Sequence, residues 1–484
     1  MGALALLIAV SIRVAGRWSR RTPTSASTRQ RSTTWTLRPG ALAAFRDRLH
    51  GRLVCPDDRS YDAARSVWNG RIDRRPAIIA LCSDTMDVVA AVHFAHEHEL
   101  VAAVRGGGHS VAGTAVCDGG LVIDLSLMKS LEIDPVGRSA RAQAGVRWSE
   151  LDGATQAFSL AVPGGTDSEV GIAGLTLGGG NGWLMGLYGA TCDNLLAAEV
   201  VMADGRIVCA SSTDNPDLFW ALRGGGGNFG IVTSFRYRLY PVGPTVIGGA
   251  VLYAYKDAVK VLRHFREFAP SVPDPLTVFA CLIYEAGQPV VAIAACHAMP
   301  HDAGDAATAP LRSWGAVVAD QLRSMSYVEL QSLFDAARPA GRRCAMRSNF
   351  MAGLPDAAIE ILVERFAATP STLSAVIVEH CHGAITRVPA DATAFGLRGN
   401  PYHLEILGFW DSPDEDEADQ DWVEGFFAAM QPFNAGEVYV NSLDQGEGHR
   451  VREAYGINYD RLVALKAKFD PTNFLRCNQN IPPR

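Results

Sequence analysis

The sequence predicts an α+β fold in two parts that meet near Pro241. Three observations carry that expectation. Between 76 and 242, short apolar runs alternate with helical periodicity and are interrupted by three Gly-rich loops. Past Pro241 the long Gly clusters stop, and strand-like and helical runs alternate in a way that suits one antiparallel sheet. The chain has 484 residues, enough for two or three folding units at roughly 100–200 residues each.

The elements follow in order. Ordered sequence is expected from about Leu42. Pro76–Leu81 (PAIIAL) reads as a short apolar strand. Over Asp84–Leu100 the spacing of Val88, Val89, Val92, Ala95 and His96 predicts a helix. Val101–Val104 is a second strand that runs into Arg105-Gly106-Gly107-Gly108-His109-Ser110. Gly120–Ser126 and Ser139–Ala144 read as strands, and Trp148–Phe158 as a helix. A Gly-dense stretch covers Gly171–Gly189. Leu195–Met202 and Gly205–Ala210 read as a hairpin with an Asp204-Gly205 turn. Asp217–Leu222 is helical, and Ile231–Leu239 alternates like a strand. In the second part, strands are expected at Val246–Tyr253, Leu276–Tyr284, Val290–Cys296 and His403–Trp410. Helices are expected at Tyr255–Phe268, Ser326–Ala337, Asp356–Ala368 and Glu415–Met430, and Tyr459–Phe469 is an amphipathic helix in the tail.

Composition narrows the function. Hydrophobic residues make up 48% and charged residues 20%, which suits a globular chain with a large core. A net charge of −7 with scattered Lys and Arg gives no footprint for nucleic acid or anionic lipid. The ten Cys form no C-x-x-C pair, so neither a zinc site nor a disulfide framework is indicated, and buried thiols in a reducing compartment are expected. His380-Cys381-His382 are consecutive and cannot easily converge on one ion, so no metal is expected. The acidic run 414–421 reads as a solvated helix start. Met1–Val10 is apolar but too short to span a bilayer, and its basic residues follow it rather than precede it. Residues 1–35 therefore read as a disordered extension and the chain as cytoplasmic, with an atypical export signal as the alternative.

Gly-rich loops expose backbone N–H groups that can cradle phosphate. Gly225-x-Gly227-x-x-Gly230 matches a dinucleotide fingerprint, but it follows a helix and opens a strand, the reverse of the required context. His109 follows three glycines directly. Such an imidazole is accessible and is a competent nucleophile when neutral, although the same residues also suit a turn carrying a solvated His.

Six stretches then narrow the choice: VRGGGHSVAG (104–113), PGGTDSEVGIAGLTLGGGNGWL (163–184), YGATCDNLLAAEVVMADG (188–205), LFWALRGGGGNFGIVTSFRYRL (218–239), VNSLDQGEGHRVREAYGINYDRL (440–462) and KFDPTNFLRCNQNIPP (468–483). In this order they resemble the berberine-bridge-enzyme-like FAD-linked oxidases. That family carries the vanillyl-alcohol-oxidase or p-cresol-methylhydroxylase (PCMH) type of FAD-binding domain. The resemblance covers most of 72–242 and the last forty or so residues; within 246–430 it rests mainly on RVPADATAF (387–395).

The resemblance implies a two-subdomain PCMH-type FAD-binding domain over 72–242. It implies a substrate domain over 246–449 and a segment, 450–484, that returns to complete the first domain. FAD would lie against Arg105, Gly106, Gly107, Gly108, His109, Ser110 and Gly113 in the first loop. Gly165, Thr166, Val170, Gly171, Gly174, Leu177, Gly178, Gly179 and Gly180 would form the second loop, Gly230 and Val232 the third, and Asn478 and Gln479 the tail. His109 would form an 8α-histidyl bond to FAD. Members with a second link use a Cys in G-x-C-x-x-V-G, where this chain has Asp167, so a single link is implied. Such a bond prevents cofactor loss and makes the flavin a stronger acceptor. Val170 falls at the position that gates oxygen, and a small aliphatic there resembles the oxidases. Tyr459, in Asn458-Tyr459-Asp460-Arg461-Leu462, falls at the proposed base, with helix packing as the plain alternative and Tyr188 a weaker candidate. The expected activity is hydride removal from an alcohol, sugar or similar small molecule, with O2 reduced to hydrogen peroxide. The alternatives are an oxygen-insensitive dehydrogenase or ring-closing enzyme on the same scaffold, and a binding protein without activity.

Overall fold

Strand runs that are apolar at every position need cover on both faces, and the first sheet is built that way. In the computed structural model, which describes residues 39–299 and 301–484, Ile78–Leu81, Leu121–Asp124 and Ala102–Arg105 lie parallel, in that order. Arg52–Val54 joins antiparallel on the outer side of Ile78–Leu81. Helix Thr85–Glu97 connects two of the strands and covers one face with Val88, Ala91, Val92 and Ala95. Its start is fixed by Asp84, whose side chain accepts from Met86 and Asp87 N–H groups otherwise left unpaired at a helix N-terminus. The N-terminal extension expected over 1–35 lies outside the described residues.

The second sheet has five antiparallel strands in the order Leu131–Asp134, Ser139–Gln143, Ile231–Arg238, Leu195–Val201, Ile207–Ser211. The hairpin expected around Asp204-Gly205 is present, with Gly205 at φ +83, where a Cβ is strained. Both sheets share one core, and the tail enters it. Leu462, Val463, Phe474, Leu475 and Ile481 are buried together with Ile78 and Phe235. The tail is pinned by Lys466 and Asp470, both fully buried and 2.7 Å apart. Lys466 Nζ also donates to Asn228 O and Leu475 O, and Asp470 accepts from the N–H groups of Phe474 and Leu475.

The region past Pro241 forms one antiparallel eight-stranded sheet, as expected. Its main path is Val317–Asp320, Thr245–Ala254, Gln288–His297, Leu276–Glu285, Ala375–His380, Tyr402–Trp410, Arg343–Met351, and Arg323–Ser326 also pairs with Thr245–Ala254. Side chains alternate between faces along a strand. Val278, Ala280 and Leu282, with Leu404 and Ile406, pack under helices Ala258–Phe268, Asp356–Ala367 and Asp416–Met430. The intervening Phe279, Cys281, Ile377, Leu407 and Phe409 face the first half, where Trp183, Leu184 and Met185 meet them. A bidentate pair from Arg398 to Asp193, at 2.8 and 2.7 Å, ties the halves together.

One expected helix is cut short, and strands Leu131–Asp134, Arg343–Met351 and Ala375–His380 are among those not expected from the sequence. The helix read over Ser326–Ala337 is confined to Tyr327–Gln331, followed by a short turn at Asp335–Ala337. Past the end of that helix, Phe334 stacks on the Trp183 ring, 5.9 Å away, and Arg338 lines the cavity between the halves.

Candidate active site

The cavity has a volume of about 350 Å³ and lies where the two halves and the tail meet. Its glycine walls are explained by backbone contact. A Cβ on Gly107 would stand 2.4 Å from Gly171 N, and one on Gly171 would stand 2.5 Å from Gly107 N. The first and second loops therefore touch backbone to backbone, which only glycine allows. Gly174 and Gly227 also line the cavity, but a Cβ on either would meet open space.

Most of the residues singled out in the sequence converge here. Gly106, Gly107, Gly108, His109 and Ser110 line the cavity, as do Gly165, Thr166, Asp167, Val170, Gly171, Gly174, Leu177, Gly230, Val232, Asn478 and Gln479. Others stand behind the wall. Arg105 is buried, binds Ala64 O and pairs with Asp124 at 3.4 Å. Gly113, at φ +66, packs on Ile72. Gly178 packs on Asn441, Gly179 on Phe395 and Gly180 on Thr191. These positions shape the loops without touching the space.

Tyr459 is a correction. It does not line the cavity; its half-buried ring packs beneath the Arg452 guanidinium, 4.7 Å away. Arg461 lies over Trp220 and pairs with Asp217. Tyr455, at the end of the preceding helix Val451–Tyr455, lines the cavity instead, and its hydroxyl donates to Gly225 O at 3.1 Å. Tyr188 is a packing residue, stacked on Tyr240 at 3.9 Å.

His109 is half-buried, stacks on Trp68 at 5.3 Å and makes no side-chain hydrogen bond among the described residues. Burial, with Arg147 and Arg338 adding positive charge nearby, pushes its pKa down to about 4. It is thus neutral near pH 7 and keeps a free ring lone pair. Asp167 is held differently: burial, opposed by the Arg338 charge, lifts its carboxyl to about 6.

The sheet brings groups that the sequence reading did not single out. Because Leu404 and Ile406 face the helices, His403 and Glu405 face the other way, as does Glu379. Glu379 Oε2 accepts from His403 Nδ1 at 2.9 Å and from Asn181 Nδ2. Burial alone would lower the His403 pKa, but the Glu379 hydrogen bond and the charges of Glu405 and Glu379 hold it above its ordinary value. Its Nε2 meets Ser348 Oγ at 2.8 Å. Glu405 Oε1 accepts from Ser442 Oγ at 3.0 Å, and Oε2 has no protein partner among the described residues. Burial raises the Glu405 pKa, with the His403 charge opposing. Tyr439 oxygen accepts from Gly180 N–H and Asn441 Nδ2, both at 2.8 Å, so its own proton is left to donate into the cavity that it lines.

These residues fit FAD. The backbone-lined wall suits a long dinucleotide that must approach the chain closely. The buried Asn478 Oδ1 on that wall has no protein partner among the described residues, an acceptor placed for a ligand donor. Fold and site together define an FAD-linked oxidoreductase. Residues 76–211 match the FAD binding domain family, and residues 438–482 match the berberine and berberine like family. The uncharacterized FAD-linked oxidoreductase YgaK of Bacillus subtilis is 31% identical, covering 90% of this chain and 98% of its own length. The (R)-6-hydroxynicotine oxidase of Paenarthrobacter nicotinovorans is 31% identical over 90% of this chain and 97% of its own. The crystal structure of 6-hydroxy-D-nicotine oxidase from Arthrobacter nicotinovorans superposes with a TM-score of 0.81 at 30% identity, covering 90% of this chain and 98% of that one. The chain belongs to the berberine-bridge-enzyme-like FAD-linked oxidoreductases. Among the described residues, no helix is long and apolar enough to cross a membrane.

Proposed function

We propose that this enzyme is an oxidase whose FAD is attached through His109 alone. It takes two electrons from an alcohol, sugar or amine and delivers them to O2 as hydrogen peroxide. One observation carries the reading: a single cavity holds an unpaired neutral imidazole at the end of a glycine turn and a carboxylate with one free oxygen. When bound, FAD supplies the two-electron acceptor. The lone pair of His109 is available to bond the 8α carbon, as the family resemblance implies. Asp167 stands where a second, cysteinyl link would form, and a carboxyl cannot replace a thiolate there.

Glu405 Oε2 accepts the proton of the substrate hydroxyl or amine as the two electrons leave. Its raised pKa makes it a stronger base than an ordinary carboxylate. Ser442 holds Oε1, fixing the direction of Oε2. The Glu379–His403 pair balances its own charge, which leaves Glu405 as the acceptor. Tyr439 donates its hydroxyl proton to a substrate oxygen. The relative named (R)-6-hydroxynicotine oxidase supports the oxidase reading, as does a small valine at position 170 on the cavity wall.

The test is direct. Wild-type protein should keep its yellow colour through acid precipitation, and His109→Ala should release it into the supernatant. A peroxide-coupled screen of sugars, aromatic alcohols and amines should find turnover in the wild type. Acid-extractable flavin in the wild type would defeat the tether, and slow reoxidation of reduced enzyme by O2 would defeat the oxidase assignment.

A further inference from the structure

A short strap of chain, 68–70, lies ahead of the first FAD-binding stretch and is bonded on both sides. Trp68 N–H donates to Gly108 O at 3.0 Å, which ties the strap to the loop that carries His109. On the other side, Gly341 N–H donates to Trp68 O and Gly70 N–H donates to Arg342 O, both at 2.9 Å. The buried Asn69 side chain joins the two neighbours. Its Nδ2 donates to Val111 O at 2.8 Å and to Cys344 O at 3.0 Å, and its Oδ1 accepts from Cys344 N–H at 3.1 Å. A Cβ on Gly70 would stand 2.1 Å from Gly341 O, so the strap is in backbone contact with the segment beside it.

The strap presents the Trp68 indole to the cavity. Its Nε1 donates to Arg338 O at 3.1 Å, and its ring stands at right angles to Phe409, 6.0 Å away. It also lies against the His109 imidazole, with 5.3 Å between centroids and 21° between the planes. Both Trp68 and His109 line the cavity.

We propose that Trp68 is a positioning residue that sets the plane of the His109 ring for its bond to FAD. The inference rests on the His109 tether proposed above. The last torsion of a histidine side chain is broad, so the ring plane needs an outside constraint. Gly106, Gly107 and Gly108 carry no side chains to supply one. Among the described residues the imidazole makes no hydrogen bond that could supply it either. The near-parallel contact with Trp68 is the constraint that remains. The lone pair of a ring nitrogen lies in the ring plane, so fixing the plane fixes the direction of attack, and orientation of this kind lowers a barrier. The backbone bonds at Gly108 O and Val111 O hold the loop on either side of His109, so Trp68 and His109 keep their relation.

In the step that Trp68 serves, the His109 nitrogen forms an N–C bond to the 8α carbon. The imidazole N–H bond and one 8α C–H bond break. The two electrons and two protons released reduce O2 to hydrogen peroxide, so one imidazole, one FAD and one O2 give one tethered FAD and one peroxide.

The experiment compares wild type with Trp68→Phe, Trp68→Leu and Trp68→Gln. All three variants lose the bond to Arg338 O, but only Trp68→Phe keeps an aromatic face. Leu and Gln both remove that face, so the comparison survives if one of them does not fold. Holoenzyme is purified from cells taken at successive times after induction. Total flavin is read by absorbance, and tethered flavin by the fluorescence of the denatured protein after acid precipitation. We expect Trp68→Leu and Trp68→Gln to bind flavin but to tether it about 2- to 10-fold more slowly than wild type, the factor that a lost aromatic pair implies. Trp68→Phe should tether at close to the wild-type rate. Equal rates in all four proteins would overturn the proposal. So would Trp68→Phe as slow as Trp68→Leu, which would assign the effect to the lost hydrogen bond, or a loss of total flavin with the remainder tethered normally. Wild type that never tethers its flavin would instead defeat the His109 bond itself, a failure read without any variant.

Discussion

At the scale of single residues, the site depends on how burial sorts charge. Glu379, His403 and Glu405 occupy neighbouring strand positions, and the charges of the other two bear on the pKa of both His403 and Glu405. The Glu379–His403 hydrogen bond stabilises the imidazolium, and Glu405 feels both it and the low-dielectric surroundings. A base works only when deprotonated, so the rate should fall as pH drops through the raised Glu405 pKa. The acid limb of kcat/KM should therefore lie above the ordinary carboxylate range. Glu405→Gln should lower kcat by about 10²–10⁴-fold and flatten that limb. A variant that retained the limb would place the base elsewhere. These residues were hard to find in the sequence for a physical reason. Both faces of the sheet are buried, so YHLEILGFW at 402–410 reads as an unbroken apolar strand with His403 and Glu405 inside it. An acid in such a run was itself the available signal, but the sequence does not say which face is the cavity. Tyr459 fails for the complementary reason. The N-Y-x-R-L pattern was legible, yet the chain breaks at Gly456 between helix Val451–Tyr455 and helix Tyr459–Phe469, which puts Tyr455 on the cavity and Tyr459 outside it.

At the scale of elements, the glycine loops were the legible part, because only glycine tolerates the contact they make. Gly107 and Gly171 could be assigned from sequence since no other residue lets two backbones approach so closely. Gly171→Ala should cost roughly 1–3 kcal/mol by overpacking and should reduce flavin incorporation with it. Gly174→Ala separates the two effects. Gly174 lies in the helix Ile172–Gly178 with open space around a Cβ, so alanine should stabilise the fold by roughly 0.5–1 kcal/mol while placing a methyl in the cavity. Melting of the apoprotein and flavin absorbance of the holoprotein give the two readouts. Helix packing supplies a further prediction. Helix Trp148–Gln156 meets the short helix Tyr327–Gln331 through Asp152, which is fully buried and accepts from Gln331 Nε2 at 2.9 Å. Burial raises its pKa to about 7. Unfolded, Asp152 would ionise near pH 4, so between about 4 and 7 the folded state holds a proton that the unfolded state has lost. Stability must therefore fall as pH rises across that window, by on the order of 3–4 kcal/mol for this group, and stay level above it. Asp152→Asn keeps an acceptor for Gln331 and should flatten the decline, so its melting temperature should exceed that of wild type at pH 8 and match it near pH 4.

At the scale of the whole molecule, the cavity exists only because three separate stretches of chain meet. The glycine loops alone would leave their wall open. The sheet past Pro241 brings Glu379, Glu405 and Phe409, and the tail returns with Asn478 and Gln479. The return of the tail was legible from its resemblance, but what holds it there was not. Nothing in the amphipathic helix expected over Tyr459–Phe469 marks Lys466, or Asp470 just after it, as buried, yet both are fully buried. Neither charge could be carried into the core alone. Lys466 is satisfied by Asp470 and two carbonyls, and Asp470 by Lys466 and two N–H groups, so the pair closes the turn that sends the tail across the core. Lys466→Met would leave a buried carboxylate without its cation and two carbonyls without a donor. The expected cost is about 3–5 kcal/mol, a fall of roughly 10 °C in melting temperature. Lys466 does not itself line the cavity, but it holds Asn228 and Leu475, which do, so flavin fluorescence should rise at a lower temperature in the variant than in wild type. If the melting temperature fell while the flavin signal kept its wild-type transition, the tail would be a stabilising appendage and not a wall of the cofactor site.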